Sequence, residues 1–174
     1  MSRFRPTKNG QFPPAYATYS DFCQNLIDDL QPLYLLAFLL TGNHAEAEQC
    51  LMATFADAVT ANWVFIGWER SWSKRCLITN AIRVVLSEQA EGSSKPESWC
   101  EVDIESRAVC TINAVARLAP PLQRFVFVMS VLERYSEHEC ALLLARTPRD
   151  VVEARIQALR QLSGFDPAFA KTAG

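Results

Sequence analysis

The sequence predicts an all-α protein made of two small helical domains joined by a linker. Three observations carry this. Apolar residues recur every three or four positions through most of the chain, the spacing that lines one side of a helix. Several of these runs open on a residue able to cap a helix and close on glycine or proline. One stretch of changed composition, "EGSSKPES" with Gly92, Ser93, Ser94, Lys95 and Pro96, divides the runs into two groups.

The elements follow in order. Residues 1–18 read as a flexible arm, with Pro6, Pro13 and Pro14 and few aliphatic side chains. Residues 19–90 form the first helical domain. Ser20 is placed to cap a helix that carries Phe22, Leu26 and Leu30 on one stripe. Pro32 kinks that helix or starts another, and "TG" stops the apolar run after Leu40. Asn43 and Glu46 have the spacing of a capping box, opening a helix with Ala47, Leu51, Phe55 and Ala58 inward. Gly67 marks a turn, and a helix from about Trp68 to Gln89 follows.

Residues 91–103 are the linker and 104–164 the second domain, with 165–174 as a tail. A helix near 101–118 ends at "APP". The next, about 121–134, contains "FVFVMSV", which has β propensity but keeps Leu122, Phe125, Val126, Met129 and Leu132 at helical spacing. Ser136 with Glu139, and Thr147 with Pro148 and Asp150, are start signals for two closing helices, the second stopped by Gly164 and Pro167.

Composition bounds the function. The chain has 174 residues, is 49% hydrophobic and 21% charged, and carries a net charge of −2. That balance argues against a general polyanion coat and leaves room for a local basic face. Cys23, Cys50, Cys76, Cys100, Cys110 and Cys140 form no C-x-x-C pair, which fits small core residues in a reducing cytoplasm. The first twenty residues lack the apolar core of a signal peptide, and no run approaches the ~18 apolar residues of a membrane span. The expected location is cytoplasmic, without a membrane.

The last two helices, joined by "ARTP", have the pattern of a helix-turn-helix, whose second helix enters the major groove with its N-terminal residues leading. Val152, Ile156 and Leu159 are expected to pack inward, leaving Arg149, Glu153, Arg155, Gln157 and Arg160 to meet DNA. Arginine bridges guanine acceptors and glutamine pairs with adenine. A plain helical hairpin with a solvated charged face is the simpler alternative. An enzyme is not expected. His44 and His138 are the two histidines, neither has a nucleophile beside it in sequence, and no metal or organic cofactor is called for.

Taken together, "LYLLAFLLTGNHAEAEQCLMATFADA", "WSKRCLITNAIRVVL" and "LAPPLQRFVFVMSVLERYSEHECALLLARTPRDVVEARIQALRQL" resemble RNA polymerase sigma factors of the extracytoplasmic-function group, over most of residues 20–162. The resemblance implies a sigma domain 2-like bundle followed by a sigma domain 4-like helix-turn-helix domain. It implies promoter DNA and RNA polymerase core as partners, and an anti-sigma factor as a further one. Lys74, Arg75, Asn80 and Arg83 match the first-domain DNA helix. Glu46, Glu48, Gln49, Met52, Ala53 and Asp57 fall on the polymerase-docking segment.

The chain departs from the family pattern in places. Gln49 and Ala53 stand where the family has acids, and Met52 where it has a polar amide. The turn before the last helix is one residue longer, with Ala145 where glycine is frequent. Losing two carboxylates weakens the match to a basic clamp. The sequence therefore supports a sigma-like transcription initiation factor or regulator. The alternative is a sigma-fold helical adaptor that binds proteins without reading promoters.

Overall fold

The computed structural model describes residues 16–61, 64, 65, 67–91 and 107–165. Most of the linker and nearly all of the arm and tail lie outside these residues. Within them the chain is helical, and the sole strand-like pairing is an isolated bridge between Tyr16 and Phe65.

Helix α1 spans Tyr19–Asp28. Its cap is Thr18 and not Ser20. Thr18 Oγ1 accepts the Asp21 N–H at 3.3 Å, and the Asp21 carboxylate accepts the Thr18 N–H at 2.7 Å. Of the two hydroxyls, Thr18 alone has an acid three residues on, and that reciprocal bond decides the start. Phe22 and Leu26 are buried, but Leu30 is 43% exposed because the chain turns at Asp29.

Helix α2 (Leu30–Thr41) accepts Pro32 in its first turn, where a missing N–H costs nothing. It ends on Gly42, whose φ of +74° closes the last turn. Helix α3 (His44–Ala58) starts on Asn43, whose Oδ1 accepts from the N–H groups of Ala45 and Glu46 at 2.7 and 3.2 Å. Helix α4 is Glu69–Glu91. The segment before it is pinned to the N-terminal side of α1. Ala17 N–H donates to the Val64 carbonyl at 2.8 Å, and the Tyr16 and Phe65 rings stack at 4.9 Å.

Helices α5 (Arg107–Ala116) and α6 (Pro121–Phe127) follow, the latter running into a π turn over Val128–Leu132. The β-forming residues of "FVFVMSV" are thus helical. The reason is burial on all sides. Every residue from Gln123 to Met129 is buried, the apolar ones on all sides of the helix and Gln123 and Arg124 with hydrogen-bond partners. Helix α6 packs on α8 at one side and on α2 at the other, so the buried residues of both halves form one continuous hydrophobic cluster.

Helix α7 is Glu137–Leu144 and α8 is Pro148–Phe165. Both starts carry reciprocal caps, Ser136 with Glu139 and Thr147 with Asp150. Helix α8 passes through Gly164 instead of stopping there. Gly164 is exposed and one residue from the helix end, where the ~1 kcal/mol a glycine costs a helix interior is not fully felt. Its inward stripe also differs from expectation. Val151, Ala154, Ala158 and Leu162 are buried, whereas Val152 is half-buried and Ile156 and Leu159 are exposed. The sequence offers both stripes. The chosen one has two alanines, which let α8 approach α6 closely.

Candidate DNA-binding and polymerase-docking surfaces

Helix α7 closes on Ala145, whose φ of 50° lies in the left-handed region that favours glycine. The Arg146 N–H then returns to the Ala141 carbonyl at 3.0 Å, and the chain enters α8 two residues later. The alanine thus takes the backbone conformation a glycine would take, at a local cost. The result is a short helix–turn–helix, clasped by Arg155 Nη2 donating to Glu137 Oε1 at 2.6 Å.

This clasp places Arg155 between α7 and α8. Gln157 is also occupied, its Oε1 accepting from Gln123 Nε2 at 2.6 Å. Gln161 continues that amide chain to Gln123 and to the Ala119 carbonyl. Spacings of four, three and four put Arg149, Glu153, Ile156 and Arg160 on one side of α8, opposite the buried stripe, and all four are exposed. Arg149 Nε donates to Glu153 Oε1 at 3.0 Å. An exposed pair of this kind is worth ~0.3–0.5 kcal/mol, so a phosphate or a guanine edge competes for Arg149 easily.

The first-half positions divide. Lys74 Nζ pairs with Glu133 at 2.7 Å, a tie from α4 to the far half of the chain. Arg75 and Arg83 are exposed. Asn80 is buried at 3% exposure and faces α3. Its Nδ2 donates to Asp57 Oδ2 at 3.0 Å and to Thr54 Oγ1 at 3.3 Å. A polar group so placed is satisfied internally and is not free for a base edge.

Asp57 is correspondingly not on the outward face of α3. The Asn80 amide, chiefly, holds its carboxyl below the usual range, with the Cys76 thiol and Arg83 adding to the effect and burial opposing. Cys76 Sγ donates to Asp57 Oδ2 at 3.2 Å. Burial first, then the Asp57 carboxylate, pushes the Cys76 thiol up to about 12. At neutral pH it is therefore a proton donor and a poor nucleophile. The outward face of α3 is Glu48, Gln49 and Met52, all exposed, with Met52 at 69%. Glu46 and Ala53 sit half-buried at its margin.

One residue of consequence gave no functional signal in sequence. Arg124 is buried within α6, and its guanidinium reaches back into the first half. Nε donates to the Leu40 carbonyl at 2.8 Å, Nη2 to Thr41 at 2.6 Å and Nη1 to Ala116 at 3.1 Å. Helix α2 has no basic residue in its own last turn. Arg124 supplies the cation its C-terminal carbonyls and dipole favour. Burial lowers the Arg124 pKa and the Glu46 carboxylate raises it. Its one trace in sequence is a charged residue set among the apolar positions of α6.

Among the described residues no cluster of His, Cys, Asp and Glu could hold a metal ion, and no helix is long and apolar enough to cross a membrane. A scan against protein-family models found no match, and no curated protein matches the chain.

Proposed function

We propose that the chain is a sigma-factor-like regulator of transcription initiation, binding promoter DNA through α8 and RNA polymerase core through the outward face of α3. The observation that carries this reading is the α7–α8 unit. Its second helix presents Arg149 in the first turn and Arg160 about three turns on, on the side facing away from the core. That is the arrangement a major-groove reader needs. Glu48, Gln49 and Met52 supply a separate exposed face on the first half. Four unpaired cysteines among the described residues support action in a reducing cytoplasm.

A titration of promoter-containing DNA across salt tests this reading. Affinity should fall steeply as salt rises, with a slope set by the phosphates contacted. Affinity that is absent at low salt would remove promoter recognition from the account.

A second reading, a helical adaptor that binds proteins only, is favoured by one specific arrangement. Asn80 is internally satisfied, Arg83 Nη1 donates to Asn80 Oδ1 at 3.3 Å and Lys74 is paired across the halves, so three of the four cationic or polar positions of the first-half DNA helix are engaged. Polymerase-core binding without DNA binding would select that reading.

A further inference from the structure

A cavity of about 670 Å³ lies between the two halves. One wall is Phe65, Trp68 and Trp72 from the start of α4 and the turn before it. The other is Arg134 and Tyr135, from the segment between the π turn and α7. This volume is in the range of sites that enclose small organic molecules, and such sites combine apolar walls with a few polar groups. Trp68 is 68% exposed although the core is nearby, so its indole is held open toward solvent.

The charged groups at the cavity are not equivalent. Its two carboxylates are already engaged, Glu133 by Lys74 and Glu139 by the Ser136 N–H and hydroxyl. Its two guanidiniums, Arg75 and Arg134, take part in no hydrogen bond or ion pair among the described residues, and both are exposed. Arg75 lies near enough to Glu139 to help hold its carboxyl low, but neither guanidinium makes a close ion pair, and an aromatic wall beside two such groups suits a ligand that is flat, aromatic and negative.

The backbone supplies an independent pointer. Arg134 has a φ of 58°, an uncommon conformation for a long side chain, and it directly follows the π turn that ends at Leu132 and the residue Glu133. Local strain and π turns both concentrate where a side chain must be aimed at a site. Here they aim the segment that carries Arg134 and Tyr135.

We propose that this cavity binds a small aromatic anion, its ring against Trp68 and Tyr135 and its carboxylate or phosphate on Arg75 and Arg134. Both walls contribute, so the bound molecule bridges the two halves. The proposal does not depend on DNA or polymerase binding.

Isothermal titration of the full chain tests it, with indole-3-acetate and phenyl phosphate as probes. Indole-3-acetamide and acetate serve as controls lacking the charge and the ring. At least one aromatic anion should bind saturably, and which of the two binds more tightly identifies the head group. The amide and acetate should bind about tenfold more weakly or not at all. Arg75→Gln and Arg134→Gly should each weaken the anion by about tenfold. Glycine tolerates a positive φ, so Arg134→Gly should keep or raise the melting temperature, which separates lost binding from lost folding. No saturable binding of either anion at millimolar concentration would overturn the proposal. So would equal binding of the amide, or affinity undiminished in either variant.

Discussion

Arg124 stands against Gly42 so closely that a Cβ at Gly42 would lie 2.8 Å from Arg124 Nη1 and 2.7 Å from the Ala116 carbonyl oxygen. The "TG" that ends α2 is therefore more than a helix stop. It is the place where the second half of the chain reaches the first, and no side chain other than hydrogen fits between them. The contact explains why α2, α5 and α6 share one core.

Gly42→Ala should destabilise the protein by more than about 1 kcal/mol, through both the positive φ and the clash. Arg124→Met should cost roughly 1.5–3 kcal/mol. Relief of a buried charge does not offset the Leu40 and Thr41 carbonyls left without their charged donor. In the double variant the two losses should sum to less than their separate values, because the clash with Nη1 disappears while the φ strain stays. Urea denaturation of the four proteins measures this, and strict additivity would refute the contact.

The Asn80–Asp57 bond should be visible in acid. Asp57 has its pKa lowered in the folded state, so its contribution to stability is complete above the ordinary value of 3.8 and is lost as pH falls through the folded value. Asp57→Asn should flatten the acid limb of the stability curve. Asn80→Ala should cost about 1–3 kcal/mol at neutral pH and bring the Asp57 carboxyl back toward its ordinary value, readable by carboxyl NMR titration.

Much of this fold was legible in sequence because its signals are local. Ser136 and Thr147 form the reciprocal caps their spacing says, while Asn43 caps α3 with its side chain and gives its own N–H to Thr41 Oγ1. Gly42 ends α2, and "FVFVMSV" is helical against its β propensity, although burial there runs right round the helix and Leu132 of the expected stripe is exposed. What could not be read was the choice between equivalent options. Thr18 against Ser20 turned on one acid three residues on. The stripe of α8 turned on two alanines that permit close packing with α6. The candidate sites were less legible still. Asn80 and Asp57 have surface chemistry but draw each other inward, and the exposed Gln157 is held by Gln123, partners distant in sequence in each case. Arg124 bonds to carbonyls more than eighty residues away, which no periodicity reveals.

On α8, Arg149→Ala and Arg160→Ala should each weaken binding to promoter DNA. A variant that loses a base contact should lose ~1–3 kcal/mol of discrimination, while one that loses a phosphate contact should weaken specific and scrambled DNA alike. Gln157→Ala was expected from sequence to impair discrimination. With its amide on Gln123, its main effect should be on stability instead. Fluorescence anisotropy on matched and scrambled duplexes separates these outcomes.

On α3, Gln49→Asp with Ala53→Glu should strengthen attraction to a basic clamp by about 0.2–1 kcal/mol per exposed pair, shrinking as salt rises. Ala53 is half-buried, so its share should be the smaller. Core affinity of parent and double variant at low and high salt measures the gain.

The central claim is that this helical chain engages the transcription machinery, and co-elution of the full-length protein with RNA polymerase core tests it most directly. The account predicts a complex at low salt that weakens with salt and is disrupted by Met52→Arg, which sets a cation on an exposed face meant for a basic partner. A complex that Met52→Arg leaves intact would show that docking runs elsewhere. No complex at any salt would contradict the polymerase claim itself.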